Sequence, residues 1–413
     1  MKKYLLLICL ALIATSSCTE NEDEPGSIPT ASISNTIPVL YIETHDNQPV
    51  TSKTEYIDAL YWLDPLDNED IAPLGSEEEP LPMQIRGRGH SSWKSPKKPY
   101  KLKLGKKTAV MGMPPNKHWA LLKPSENTVA GLGLGKLMDM AWTPDFRPVE
   151  VMLNGDYIGL YFLTETIRIS ENRVDIYEQK DGETNPSLIK GGWLVEVDNY
   201  KDECQIVIPE NNRWNLTIKY HSPENLSDAQ LRWLTDEFKA LNSAIYSADK
   251  TSAAWQEYLD AESIARFFIL QEVMDNPDGF HGSFYLHKDL GDNARWIAGP
   301  VWDLVCYNRA KTDYTFRMKA HYGFIPHWIG ELIRYETFCS HVKVAWESVY
   351  PGELSLIYDR IDDIVLPLGE AWKNDCVRWG EDPSQTASVR AERIKTALKR
   401  NMEWFDAHLP ECE

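Results

Sequence analysis

Several of the commonest functional signatures are missing from this chain of 413 residues. No GxSxG nucleophile elbow and no HExxH zinc helix occurs, which excludes the usual serine and zinc hydrolase motifs. The glycine-rich run Gly131-Leu132-Gly133-Leu134-Gly135-Lys136 fails as a phosphate loop. A Walker loop needs glycine where Ala130 stands and Ser or Thr where Leu137 stands. Its small residues predict instead a helix over Ser125–Ala141 packed closely against a neighbouring strand. Cysteine is sparse: Cys204, Cys306, Cys339, Cys376 and Cys412 follow Cys18, with no CxxC pair, so neither a zinc ribbon nor a dense disulfide framework is indicated. One or two bridges remain open. Basic charge is also short. Against 62 Asp and Glu stand 43 Lys and Arg, a net charge of -19, which argues against nucleic acid as a partner.

Long apolar runs are absent after residue 18, and the one before it is too short to span a bilayer. MKKYLLLICLALIATSSC combines two lysines, an apolar stretch and small residues before a cysteine, the pattern of a cleavable export signal over residues 1–17. Thr15-Ser16-Ser17-Cys18 resembles a lipobox, which makes Cys18 the expected lipidation site and the new N-terminus. The alternative is an ordinary signal peptide cut near Ala14. Residues 18–36 read as an acidic, Pro-containing tether. The expected location is the outer membrane or cell surface, with membrane contact only through the anchor. The acidic residues after Cys18 resemble a surface-export tag and read equally well as a solvated linker.

From Ile37 to about Ile176 the pattern is strand-like, as in PVLYIET, MQIRGRG, PYKLKL, PVEVMLNG and YIGLYFLTE, with a turn at Asn154-Gly155-Asp156. GGWLVEVD and CQIVIP follow, and then the chain turns helical. Ser227 with Gln230 forms a capping-box pattern, and Leu231, Leu234, Phe238, Leu241 and Ile245 recur on one helical face. Further helices are expected at about 260–274, 327–349, 353–374 and 385–407. A β-rich N-terminal half (37–176) before an α-rich half (177–413) predicts an α+β domain of two lobes with a cleft between them.

The candidate chemistry follows the helix that ends near Met274. Asp275-Asn276-Pro277-Asp278-Gly279-Phe280-His281-Gly282-Ser283 is a polar loop, followed by a short hairpin that reaches Trp302-Asp303. Phosphoryl-transfer sites use such a succession: one carboxylate accepts the acceptor's proton and another holds a metal that neutralises phosphate charge. Taken alone, Asp, Asn, Pro and Gly at these positions also suit an ordinary turn. In the N-terminal half, Arg86-Gly87-Arg88-Gly89 precedes Lys101 and Lys103, which share one face of a strand opposite Tyr100, Leu102 and Leu104. Glycines there would admit phosphate and the basic side chains would neutralise it; the competing reading is a charged edge strand. His281 and His287 match no usual zinc spacing and read as a turn and a strand histidine.

Three motifs in order, RGRGHSSW…KKPYKLKL, LNGDYIGLYFLTETI and DNPDGFHGSFYLHKD…WIAGPVWDL, resemble those of the spore-coat protein H (CotH) kinase-like family. The resemblance implies a two-lobed atypical protein-kinase-like fold that binds ATP with Mg²⁺ or Mn²⁺, and transfer of phosphate to a protein or small-molecule acceptor. By the same resemblance, Asp278 is the catalytic-loop residue and Asp303 a metal ligand, with Ser283 at the second metal position. Arg86, Arg88 and Lys101 or Lys103 would contact phosphate, and Glu165 would sit toward the adenine. Two positions depart from the pattern: Ser283 stands where the loop usually offers Asn, and Val305 replaces an acidic or amide residue. Both are poorer metal ligands. The second reading is therefore a catalytically degenerate surface module that binds glycans or protein. The fifteen tryptophans fit ring stacking on sugars, although Trp233 and Trp346 fall in helical patterns and read as packing residues.

Overall fold

The computed structural model describes residues 31–198, 200, 204–209, 215–306 and 328–409. The expected export signal, Cys18 and most of the tether lie outside the described residues. From Val39 the chain forms β1 (Val39–Thr44), β2 (Ile57–Asp64), β3 (Leu81–Gly87), β4 (Tyr100–Val110), β5 (Met113–Leu122), β6 (Phe146–Leu153) and β7 (Asp156–Glu165). These seven strands close into a barrel in the order β1-β2-β3-β4-β5-β7-β6. Alternation supplies its core: Leu40 and Ile42, Met83 and Ile85, Leu102 and Leu104, and Val149 and Val151 point inward. The turn expected at Asn154-Gly155 joins β6 to β7. Both residues have positive φ, 52° and 76°, as a two-residue hairpin turn demands.

The closure overturns the expected two-lobed, kinase-like fold. β1 pairs antiparallel with β2 and parallel with β6, Val39↔Glu150 through Ile42↔Leu153, so the strands before residue 166 leave no open sheet edge. Nor is the second half mainly helical from its start. β8 (Trp193–Val197), β9 (Gln205–Ile208), β10 (Leu216–Ser222), β11 (Phe284–Lys288) and β12 (Ile297–Ala298) form a separate antiparallel sheet in the order β12-β11-β8-β10-β9. The architecture is thus a barrel, a second sheet and helices in one mixed α and β body.

The helices are α1 (Glu126–Leu137), α2 (Asp228–Ile245), α3 (Ala261–Met274), α4 (Ile329–Leu332), α5 (Glu336–Val349), α6 (Gly352–Val365), α7 (Gly369–Trp379) and α8 (Ala387–Ala407). Ser227 and Gln230 make the reciprocal capping box at the start of α2. Leu234, Phe238, Leu241 and Ile245 are buried along its face, whereas Leu231 is exposed and Gln230 takes the buried place. Trp346 is likewise buried, and Trp233 stacks on Trp193 at 5.7 Å. α3 is buried on nearly all sides, with Phe267, Phe268 and Leu270 in the main core. Each such side chain contributes about 1.5–3 kcal/mol by burial.

A buried joint ties the barrel to the helices. Lys97, buried ahead of β4, donates to Leu160 O on β7 and to Asp375 of α7. Gly159 admits that carboxylate, since a β-carbon there would stand 2.0 Å from Asp375 Oδ1. In the helical half, Cys339 of α5 is disulfide-bonded.

Candidate functional site

α3 ends at Asp275, whose left-handed φ of 54° breaks the helix just before Asn276-Pro277, where a proline cannot continue it. The loop then folds back on α3: Asn276 Nδ2 donates to Gln271 Oε1 at 2.8 Å. Gly279 lies so close that a β-carbon would stand 2.7 Å from the same oxygen. Phe280 anchors the far end against Phe267 and Phe284 at 5.3 and 5.4 Å. Phe280 and Ser283 also take positive φ, 71° and 51°. Non-glycine residues adopt that region only where their surroundings fix it. Asp278 is therefore half-buried on a pinned loop.

After β12, Trp302-Asp303 is set by its neighbours in sequence. Val301 and Leu304 are buried against the small face of α1, over Gly135 and Gly131. The packing expected of that glycine run is real, but its partner is this loop rather than a strand. Asp303 itself has a φ of 53°.

Arg88 reaches this loop from the barrel, its guanidinium 5.2 Å from the Trp302 ring centre. Burial pushes its pKa down, while Tyr285, Asp303 and Glu196 favour its charge. Asp303 keeps a solvent-exposed side, yet partial desolvation by its surroundings pushes its carboxyl up, Arg88 opposes this, and Asp278 and Glu196 add to it as like charges. Asp278 and Asp303, 25 residues apart in sequence, are thus brought into one electrostatic neighbourhood. Lys101, directly across from Arg86 on adjacent strands, joins the cationic side. Its pKa falls to about 8, first through burial and then through Arg86, Arg88 and Arg168.

Other predicted residues are placed differently. Arg86 donates to Lys53 O and lies over Tyr56 at 5.0 Å, so much of its capacity is spent holding the loop before β2. Lys103 lies 5.9 Å from the same ring. Glu165 is buried at the end of β7, where it accepts from Asp145 N at 2.9 Å and faces Arg173 at 3.9 Å. The space at the glycines of Arg86-Gly87-Arg88-Gly89 is filled by the protein itself. A β-carbon at Gly87 would meet the Trp93 ring at 2.4 Å, and one at Gly89 would meet Ser92 Oγ at 2.1 Å. His287 Nδ1 meets Gly299 O at 3.0 Å, and His281 Nδ1 meets Asp278 O at 3.2 Å.

Sequence reasoning missed Glu196. It lies on β8, accepts from Tyr285, and meets His221 Nε2 at 2.7 Å. The His221 ring stacks on Tyr285 at 5.3 Å. The available signal was Val195-Glu196-Val197-Asp198, two carboxylates two residues apart in a strand-like pattern that places them on one side.

Among the described residues no three His, Cys, Asp or Glu side chains converge into a cation cage. Mg²⁺ needs no such cage, because it takes one or two carboxylates and completes its shell with water and substrate phosphate. Asp303 with Asp278 supplies hard oxygen donors of that kind, and their mutual repulsion is what a divalent cation relieves. The donors therefore fit the ion. A separate groove of about 490 Å³, lined by Tyr350, Tyr358, Lys399 and Met402 among others, contains none of these residues.

Fold and site together define a barrel-containing α+β protein in which Arg88, at the end of a cationic barrel strand pair, reaches a carboxylate-bearing loop and hairpin. Residues 85–405 match the CotH kinase protein family, well over half of the 413-residue sequence, and the chain belongs to that family. No curated protein was found to match it. The match begins within β3 and runs into α8, so it takes in every residue of the site.

Proposed function

We propose that this kinase-like protein binds ATP with Mg²⁺ or Mn²⁺ between the Arg88–Lys101 side and the Asp278–Asp303 side, and transfers the γ-phosphoryl group to an acceptor hydroxyl. The observation that carries the reading is the opposition itself. Among the described residues Arg88 and Lys101 make no side-chain hydrogen bond or close ion pair; Arg88 faces Asp303 and its like-charged neighbours, and Lys101 stands beside Arg86 and Arg88. Lone cations suit phosphate oxygens, and neighbouring carboxylates suit the accompanying metal. A bound divalent ion would neutralise phosphate charge.

In this reading Asp303 holds the metal with Asp278 nearby, while Arg88 and Lys101 orient the phosphates. Asp278 takes the acceptor's proton as its oxygen bonds to phosphorus and the bond to the ADP oxygen breaks. Ser283 is a weak additional donor. Lys101 is preferred over Lys103 because Arg86 and Arg88 are its neighbours, whereas Lys103 covers Tyr56. Glu165 is not assigned to the nucleotide, since Asp145 and Arg173 occupy it.

The protein is further proposed to act outside the cytoplasm, anchored through Cys18. The leader sequence supports this, and so does the disulfide at Cys339, a bond that oxidising compartments maintain. No helix among the described residues is long and apolar enough to cross a membrane.

The test is thermal: ATP with Mg²⁺ or Mn²⁺ raises the melting temperature of the wild type and not of Asp303→Ala. Absence of a nucleotide-dependent rise with every metal tried overturns the proposal. A rise without phosphoryl transfer to any acceptor identifies a binding protein in place of an enzyme.

A further inference from the structure

The outer face of the barrel carries more positive charge than a nucleotide site accounts for. On β4 the side chains of Lys101 and Lys103 point outward, away from the barrel core that takes Leu102 and Leu104. His118 of β5 stands directly across from Lys103. Arg168, in the segment after β7, comes close enough to depress both Lys101 and His118 electrostatically. Among the described residues Lys101, Lys103 and Arg168 make no side-chain hydrogen bond and no close ion pair, Glu224 acting on Lys101 only at longer range, in a chain with 62 acidic residues against 43 basic ones. Where acid is so abundant, unpaired cations gathered on one face point to an anion supplied from outside. The row starts at Lys101, beside Arg86 and Arg88, and continues along the strand to Lys103.

Resting on the reading above, we propose that the acceptor is an acidic protein segment that docks in extended form along Lys103, His118 and Arg168. Its phosphorylatable hydroxyl would be delivered toward Asp278. Spacing favours a peptide: Lys101 and Lys103 are two strand residues apart, about 6.6–6.8 Å. Alternate side chains of an extended peptide repeat at the same distance, so Asp or Glu at every second position would meet the row in register. The protein's net charge of -19 disfavours such a segment elsewhere on average, which adds selectivity for a face that gathers cations.

The experiment measures binding to the full chain, by fluorescence anisotropy, of a labelled peptide with alternating Glu and with Ala in place of the target Ser. Peptides carrying Gln or Lys at the same positions serve as comparisons, together with a single-stranded oligonucleotide of equal charge. The Glu peptide is expected to bind, to weaken with salt, and to lose about tenfold or more on Lys103→Glu/Arg168→Glu, through like-charge repulsion. Equal binding of Glu and Gln peptides, indifference to the double substitution, or equal binding of the oligonucleotide overturns the proposal. The readout requires neither nucleotide nor turnover. The nucleotide-dependent rise in melting temperature, measured on the same variant, reports separately on the phosphoryl-transfer reading and on whether the variant is folded.

Discussion

Gly131 of α1 lies against Leu304. A β-carbon at position 131 would stand 2.6 Å from Leu304 Cδ1 and 2.7 Å from its Cβ. The second contact decides the outcome, since a β-carbon so near the main chain cannot swing aside as a side-chain tip can. Gly131→Ala gains about 1 kcal/mol of helix propensity and loses about 1–3 kcal/mol to overpacking. Net destabilisation is expected in urea unfolding, together with a smaller nucleotide-induced rise in melting temperature as the Asp303 loop shifts. Gly352, at the start of α6, has no atom within 4 Å of its missing β-carbon. Gly352→Ala is expected to be neutral or stabilising by up to about 1 kcal/mol.

Asp303 should show stability and function in opposition. Partial desolvation raises its carboxyl pKa, with Asp278 and Glu196 adding to the effect, so the folded protein holds a proton there more readily than the unfolded chain. That contribution is full below the unfolded pKa and is lost as pH rises through the raised value. At neutral pH the charge is therefore a cost that Arg88 only partly offsets. Because Asp303 keeps solvent contact that screens these interactions, Asp303→Asn is expected to leave the ligand-free melting temperature unchanged or slightly raised. It should also abolish the increment from ATP and metal. A lower ligand-free melting temperature for Asp303→Asn would contradict this account.

Local features were legible in the sequence because they depend on adjacent residues. Ser227 and Gln230 cap α2, Asn154-Gly155 turns β6 into β7, and Lys101 shares a face with Lys103. What failed was long-range. The register that closes the barrel pairs residues 39–42 with 150–153, and no local pattern encodes a partner over a hundred positions away. Gly87 and Gly89 misled for a related reason: a glycine announces that something comes close without saying what, and here it is Trp93 and Ser92 rather than phosphate. Glu165 had the right strand and the wrong company, being held by Asp145 and Arg173. Asp278 and Asp303 were legible as motif residues, but Glu196 was not, because its importance comes from β8 lying beside β11.

His118 should make acid unfolding easier. Burial first, and then Arg168, Lys101, Lys103 and Arg173, lower its pKa from 6.5 to about 3. Between those values the unfolded chain takes up a proton that the folded protein refuses, so stability falls as pH drops through that window. His118→Gln removes the difference. The fall in melting temperature between about pH 7 and about pH 5 is expected to be smaller in the variant than in the wild type. NMR titration of the wild type should show His118 still neutral at the lower pH.

The Lys97–Asp375 pair tests how the barrel is fastened to α7. Both side chains are almost fully enclosed, and Leu160 contributes its N–H to Asp375 Oδ1 at 3.0 Å and its carbonyl to Lys97. Burial lowers the Lys97 pKa from 10.5 to about 8 even with Asp375 beside it. Asp375→Ala removes the partner and leaves a buried ammonium, a loss of about 3–5 kcal/mol at neutral pH. Lys97→Met/Asp375→Leu removes both charges and should recover much of that loss, since apolar replacement of a buried pair is often neutral or better. The pH dependence separates charge from shape. Between about 8 and 10.5 the unfolded chain keeps the lysine proton that the folded protein sheds, so this group makes the protein more stable as pH rises. Without Asp375 the folded pKa falls further and the window opens at lower pH. Urea midpoints of wild type and Asp375→Ala are therefore expected to lie closer together at about pH 9 than at about pH 7. An equal gap at both pH values would mean that the loss comes from the cavity and from Leu160's lost hydrogen bond, rather than from the stranded charge of Lys97.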